Sequence, residues 1–333
     1  MSNPTIKDVA QRAGVSISTV SRVLNGYSNV KEDTRLIVEK AVRELGFSPN
    51  ALAKGLRSQK TQTLGLVVNN ILNPMYSLLA QSIESTARKH GFQLFLCNSG
   101  ANPKQEAEYL EALWHKKIDG LLISPTGNNI QLLERYLNAK IPVVQVDRRI
   151  EDLKADVVLT DNVDGAYQLV NHLLQQGYRK IAIIVGMQTV TTGMDRMTGY
   201  FKALSEFGLA PESSYIKIGD FTEETGFKLM KELLALKELP DSVFVGNNLM
   251  ARGAMLAIRE ADLKIPNDMA FVMFDNPDWS ELHDPPLTVF EQPIYELGVK
   301  SAELIFKYIN HPELLGNANT ISLKGNLIVR KST

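Results

Sequence analysis

The chain has almost no sulfur chemistry to draw on. Cys97 is its one cysteine, which excludes an internal disulfide and any cysteine-built metal centre, and that usage fits a reducing compartment. No apolar run reaches the roughly 18 residues of a membrane-spanning helix. The opening "MSNPTIKDVAQ" lacks the apolar core of a secretory signal, so a cytoplasmic protein is expected, with no membrane partner. The histidines (His90, His115, His172, His283 and His311) are scattered without an H-x-x-x-H pair and read as surface or packing groups. Also missing are the G-x-x-x-x-G-K-[ST] phosphate loop, the G-x-G-x-x-G turn and the G-x-S-x-G nucleophile elbow. Asp147, Asp161 and Asp275 follow strand-like runs and could serve acid–base chemistry, yet nothing pairs them with a nucleophile. No enzyme activity, metal or cofactor is therefore expected.

What is present is an ordinary soluble composition with an uneven charge. The 333 residues, 44% hydrophobic and 22% charged, are enough for more than one domain. The net charge of −1 conceals a basic head: residues 1–60 hold ten lysines and arginines against five acidic residues, +5 in all, which leaves −6 for the remainder. A basic head on an acidic body suggests that only the head meets a polyanion.

The first 60 residues carry short helical patterns and no strand-like run. Thr5 can cap a helix with Ile6, Val9, Ala10 and Ala13 on one face, interrupted at Gly14. Ser16 can cap a second helix that runs to about Asn25 and stops at Gly26. A third pattern, with Ile37, Val38, Ala41, Val42 and Leu45 facing inward, stops at Gly46. In "SPNALAKGLRSQKT" Pro49 can open a very short helix ending near Arg57, and "SQKTQT" reads as a linker. From Thr63 the runs "LGLVV", "FQLFLC", "GLLIS", "PVVQV", "KIAIIV", "SVFVG" and "MAFVMF" alternate with amphipathic stretches of helical length. That alternation predicts parallel sheets with helices on both faces, and its extent predicts two α/β lobes. Ligands of such sheets bind beyond the carboxyl ends of the strands.

The second helix, in "SISTVSRVLNG", repays a helical wheel. With Val20 pointing inward and about 100° per residue, Ser16, Val20, Val23 and Leu24 fall within about 60° of the core. Ser18, Arg22 and Asn25 fall opposite, flanked by Ser21. Solvated helix faces favour long Lys and Glu, whereas Ser and Asn are poor interior helix formers. Short hydroxyl side chains can approach bases and phosphates closely, and Arg can pair bidentately with guanine. Ala10, Gly14 and Val20 add a small residue, a turn glycine and an aliphatic at the spacing that a helix-turn-helix requires.

"TIKDVAQRAGVSISTVSRVLNG" followed by "VKEDTRLIVEKAVRELGFSPNALAKGLRS" resembles the headpiece of the lactose/galactose repressor family of bacterial transcription regulators, and the resemblance extends over essentially the whole chain. It implies an all-α helix-turn-helix headpiece (1–47), a hinge helix and linker (48–60), and a two-lobed periplasmic-binding-protein-like α/β core (61–333). It further implies that Ile17, Ser18 and Arg22 read bases, while Thr5, Ser16, Thr19, Ser21 and Asn25 engage the DNA backbone. Asn50, Ala53 and Leu56 match the hinge helix, with Leu56 as a wedge in the minor groove. Gly55 costs such a helix about 1 kcal/mol relative to Ala, and a helix this short forms only with support from a partner. The hinge is thus expected to fold when two copies pair over operator DNA.

In members of this family a small effector sits between the lobes. The matching positions are Asn73 and Tyr76 of "NPMY", Asp147 and Arg148 of "VDRR", Asp161 of "TDNVDGA", Arg196 of "DRMTGY", Asn247 and Asn248 of "GNNLMARGAM", Asp275 of "FDNPDW" and Gln292 of "EQP". Met75 replaces the usual aromatic, and Asn248 stands where the family usually has Asp. Several of these have plainer readings: Asp161 can simply cap a helix, Asp147 can be a turn residue, and Tyr76 can be packing. The set suits a sugar or sugar derivative, with the missing carboxylate at Asn248 favouring a sugar acid; a nucleobase acting as corepressor is the alternative. "LIVRKST" carries no leucine-rich tetramerisation helix, so a homodimer on a pseudo-palindromic operator is expected.

Two outcomes are predicted. Arg22→Ala loses about 1–3 kcal/mol of base discrimination, read by comparing operator variants in a binding assay; unchanged preference removes the assignment. Leu56→Ala lowers operator affinity and abolishes the DNA bend while effector binding persists, read as a wild-type bend angle lost.

Overall fold

A computed structural model of the protein describes residues 4–24, 27, 29–47, 61–316 and 318–333. The chain divides into two compact units, Met1–Gln62 and Thr63–Thr333. The expected hinge over 48–60, with Asn50, Ala53 and Leu56, lies outside the described residues, as does Asn25.

The first unit holds helices α1 (Ile6–Ala13), α2 (Ile17–Leu24) and α3 (Glu32–Leu45). Thr5 caps α1 reciprocally: its hydroxyl accepts from the Asp8 amide, and Asp8 Oδ2 accepts from the Thr5 amide at 2.7 Å. Those bonds hold the Asp8 carboxyl below its ordinary pKa. Gly14 ends α1 at φ +65°, a conformation open to glycine without Cβ strain. Val9, Ala10, Ala13, Val20, Val23, Val38 and Ala41 form the core of the unit.

Two expectations fail here. Ser16 is exposed rather than turned inward, because it stands at the cap of α2 with its Oγ 3.2 Å from the Thr19 amide. Ile37 is 51% exposed, since Val38 and Ala41 alone bury fully on α3 and its inward stripe is narrow.

The second unit consists of two similar lobes. In lobe 1, β1 (Thr63–Val68), β2 (Gln93–Asn98), β3 (Gly120–Ile123), β4 (Val143–Val146) and β5 (Asp156–Thr160) alternate with α4 (Pro74–Lys89), α5 (Pro103–His115) and α6 (Ile130–Asn138). In lobe 2, α7 (Asn162–Gln175), β6 (Ile181–Val185), α8 (Thr191–Glu206), β7 (Ile216–Ile218), α9 (Glu223–Leu234), β8 (Ser242–Val245), α10 (Asn248–Glu260), β9 (Ala270–Phe274), α11 (Trp279–Leu282) and β10 (Thr288–Glu291) follow. The chain then returns to lobe 1 for α12 (Ile294–Asn310) and β11 (Thr320–Leu323), and ends in lobe 2 with β12 (Asn326–Ile328).

The sheet orders correspond: β2-β1-β3-β4-β5-β11 in lobe 1 and β7-β6-β8-β9-β10-β12 in lobe 2. All pairings are parallel except β10 with β12. β1, β3, β4, β6, β8 and β9 are buried on both faces, which is why each reads as a largely apolar run, with Gln145 the polar residue inside β4. Asp161 lies on the first crossing between lobes, and its amide donates to Leu323 O at 2.9 Å, next to the third.

Helices α9 and α10 meet backbone to backbone. A Cβ on Gly253 would stand 2.0 Å from Glu223 O, and one on Gly226 would stand 2.2 Å from Met250 O. Gly253→Ala is therefore predicted to lose about 1–3 kcal/mol in denaturant unfolding, despite alanine's better helix propensity, because the two helices must move apart.

Candidate functional site

Two surfaces carry candidate chemistry, one in each unit. On α2, Ile17 (44% exposed), Ser18 and Arg22 stand on the outer face, and Thr19 and Ser21 are half-buried beside them. Ser16 Oγ lies 2.8 Å from both Ser18 Oγ and Thr19 Oγ1, so one cap orients three hydroxyls. Thr5 is exposed at the start of α1, with its hydroxyl donating to Asp8 Oδ2. Arg12 is held by Glu44 at 2.6 Å, whereas Arg22 forms no ion pair among the described residues. The outward set of the sequence reading, minus Asn25, is therefore together on one short helix.

The second surface is a cavity of about 270 Å³ between the lobes. Lobe 1 supplies Asn69, Asn73, Tyr76, Asp147 and Arg148, and lobe 2 supplies Thr192, Arg196, Asp220, Phe221, Asn247 and Asp275. Asn73 caps α4 by accepting from the Met75 amide at 3.0 Å. Asn247 caps α10 in the same way, accepting from the Met250 amide at 3.1 Å. Asp147 and Asp275 follow β4 and β9 at φ +69° and +78°, strained for a non-glycine residue and typical of ligand sites.

Asp147 is the focus of lobe 1. Its Oδ2 accepts from Tyr76 OH at 3.0 Å and from Ser124 Oγ at 3.4 Å. Burial pushes its carboxyl above the ordinary range, against the pull of Arg148 and Arg196. Burial, with the nearby Asp147 charge, also pushes the Tyr76 phenol up to about 12. Both hydroxyl protons go to Asp147, so the Asn69 amide must donate to Tyr76 OH (3.0 Å) and Ser124 Oγ (2.8 Å). Asn69 Oδ1 is left buried and unpartnered.

Lobe 2 repeats the pattern. Asp275 accepts from the Asn248 amide at 3.1 Å and from Gln292 Nε2, which leaves Gln292 Oε1 unpartnered. Asn248 Nδ2 donates across the cleft to Asn73 Oδ1 at 2.9 Å, leaving its own Oδ1 free. Arg149 also bonds between the lobes, donating to Asp195 at 3.1 Å, and its amide donates to Thr191 Oγ1 at 3.2 Å. Arg196 is wholly buried, bonded to Asn162 Oδ1 at 2.8 Å and to Gly246 O, with Phe274's ring 3.7 Å away. Its desolvation lowers its pKa from the usual arginine value.

Most of the candidates thus converge. Asn73, Tyr76, Asp147, Arg148, Arg196, Asn247 and Asp275 line the cavity, and Asn248 and Gln292 brace it from behind. Asp161 does not reach it: its carboxylate accepts from the Asp164 amide at 3.0 Å and caps α7, while the next residue, Asn162, turns to Arg196. Tyr76 packs in the lobe 1 core and is 5% exposed, with its hydroxyl donating to Asp147. The sequence reading missed Asn69 and Ser124, although both stand at carboxyl ends of strands it had located. Thr192 and Phe221 gave no such signal, Phe221 because it follows the unrecognised β7.

Comparison with known proteins agrees across the whole chain. Residues 5–50 match the family described as bacterial regulatory proteins, lacI family. Residues 61–324 match periplasmic binding proteins and sugar binding domain of LacI family. The chain is 35% identical over 332 residues to the HTH-type transcriptional repressor PurR of Haemophilus influenzae (strain PittEE), covering 98% of each. It is 33% identical over 328 residues to that of Actinobacillus pleuropneumoniae serotype 3 (strain JL03), again covering 98% of each. Its fold is similar to the lac repressor dimer bound to operator and the anti-inducer ONPF, with a TM-score of 0.87 at 27% identity over 100% of this chain and 99% of that one. The transcriptional regulator CelR in complex with cellobiose is also similar, with a TM-score of 0.76 at 30% identity over 99% and 100%. With both parts of the chain and nearly its full length matched, the protein belongs to the LacI family of bacterial regulatory proteins and is a DNA-binding transcriptional repressor.

Proposed function

We propose that the repressor binds a pseudo-palindromic operator as a homodimer and that a monosaccharide-sized ligand in the interlobe cavity releases it. The carrying observation is that the cavity walls come from both lobes and that the lobes hydrogen-bond across the cleft, Asn248 to Asn73 and Arg149 to Asp195. A ligand that touches both walls favours one lobe arrangement by its difference in affinity for the two, and that difference is the coupling energy. Asp147 and Asp275, both in left-handed backbone, stand on the lining with the side-chain amides of Asn69, Asn73 and Asn247, a wall suited to hydroxyl groups and hence to a sugar or sugar derivative. CelR, a similar protein, was solved with cellobiose, and a LacI family regulator from Enterococcus faecium, 29% identical with a TM-score of 0.72, with ribose.

In this reading Ile17, Ser18 and Arg22 read bases; Thr5, Ser16, Thr19, Ser21 and Asn25 position α2; and Asn50, Ala53 and Leu56 form the hinge. Residues 1–47, 48–60 and 61–333 act as head, hinge and effector core, and the protein works in the cytoplasm, at the nucleoid when bound. A planar nucleobase acting as corepressor is the second reading, favoured by Phe221, whose ring lines the cavity.

A mobility shift on a pseudo-palindromic operator, with and without candidate ligands, tests the sign. The expected outcome is weaker operator binding with a sugar; stronger binding with a nucleobase replaces the inducer reading with the corepressor one.

A further inference from the structure

One guanidinium in the cleft has no ion-pair partner among the described residues. Arg148 is 6% exposed, its Nε is buried without a partner, and among the described residues it forms no ion pair. Its guanidinium carbon lies 5.1 Å from the ring centre of Phe221. Asp147 is near enough to interact with it but spends Oδ2 on Tyr76 and Ser124. The other buried guanidinium, Arg196, has oxygen acceptors and an aromatic face. An unpaired guanidinium this deep is costly to hold, and a planar carboxylate matches its fork of donors.

The wall beside Arg148 carries the same polarity. Thr192 and Arg196 stand four residues apart on α8, both lining the cavity. The first turn of this 16-residue helix has no acidic residue, and its cap, Val190, offers no side-chain acceptor. Its positive end carries no side-chain counter-charge, and Thr192 of its first turn faces the cavity. The carboxylates on the lining are already engaged with protein donors: Asp147 as above, Asp275 with the Asn248 amide and Gln292, and Asp220 with the Thr222 amide at 3.0 Å and hydroxyl at 2.6 Å. They retain lone pairs for hydroxyl groups. The cleft thus needs a ligand with many hydroxyl donors and one anionic end. At about 270 Å³ it has room for one sugar ring rather than two.

We propose that the effector is an acidic monosaccharide whose carboxylate is held by Arg148 against the first turn of α8, with its hydroxyls directed to Asp147 and Asp275. This rests on the carbohydrate reading of the cleft and narrows it. Arg148 belongs to lobe 1, and Thr192 and Arg196 belong to lobe 2, so a carboxylate held by Arg148 beside α8 touches both lobes. A ligand held in that way favours the lobe arrangement in which both contacts are made.

The test is titration calorimetry on the full-length protein with D-glucuronate, D-galacturonate and D-gluconate, beside D-glucose, D-galactose and D-glucose 6-phosphate. At least one acid is expected to bind tenfold or more tightly than its neutral parent, with affinity falling as salt rises. Arg148→Gln should reduce acid affinity at least tenfold with an unchanged circular dichroism spectrum, and Arg148→Lys should restore part of it. Equal or tighter binding of the neutral parent, preference for the sugar phosphate, or full acid affinity in Arg148→Gln overturns the proposal. A neutral sugar that binds removes only the acid and leaves the carbohydrate reading standing. Failure of every sugar, acid and phosphate removes both.

Discussion

The cleft depends on two aspartates held in left-handed backbone at equivalent strand ends. Asp147 follows β4 and donates its amide to Val158 on β5, while Asp275 follows β9 and donates to Phe290 on β10. In each lobe the neighbouring strand fixes a conformation that costs about 1–3 kcal/mol in isolation. With both backbones fixed, both carboxylates are aimed at the space between the lobes. Tyr76, Ser124, Asn248 and Gln292 then orient around them, and each donor is directed by the carboxylate it serves. The unpartnered oxygens of Asn69 and Gln292 follow from this order. The acceptor-rich character of the cavity is a consequence of where two strands end.

The DNA-binding unit obeys a different constraint. Its three helices are short, and α2 has only Val20 and Val23 fully buried to hold it. Caps at Thr5 and Ser16 and the turn at Gly14 therefore carry much of the geometry that packing carries elsewhere. The same hydroxyl that starts α2 ties Ser18 and Thr19, so the cap and the presented face form one hydrogen-bonded group.

What could be read from sequence follows burial. The central strands were legible because both of their faces are covered, and the helical patterns because each has one covered face. β5 ("DVVLT") and β10 ("TVFE") are well buried yet too short and too polar at their ends to form an apolar run. β7, β11 and β12 are sheet edges with half-exposed side chains. At the site, the family resemblance supplied Asn73 and Asn247, while the rule of looking beyond strand ends marked Asp147 and Asp275. It also admitted Asp161, because a helix cap and a ligand-binding carboxylate look alike until the amide that takes the carboxylate is seen. Nothing local marks Thr192 or Phe221: one opens a helix without a side-chain cap, the other lies beyond an edge strand.

The three crossings between the lobes make lobe 1 discontinuous along the chain. Its core includes Leu297, Ala302 and Ile305 of α12, and its sheet closes with β11, both of which follow the main part of lobe 2. During synthesis the strands of lobe 1 emerge first, yet the apolar surface awaiting α12 stays uncovered until lobe 2 has been made. The first lobe begun is among the last parts finished, and until β11 arrives β5 presents an open edge to any neighbouring chain.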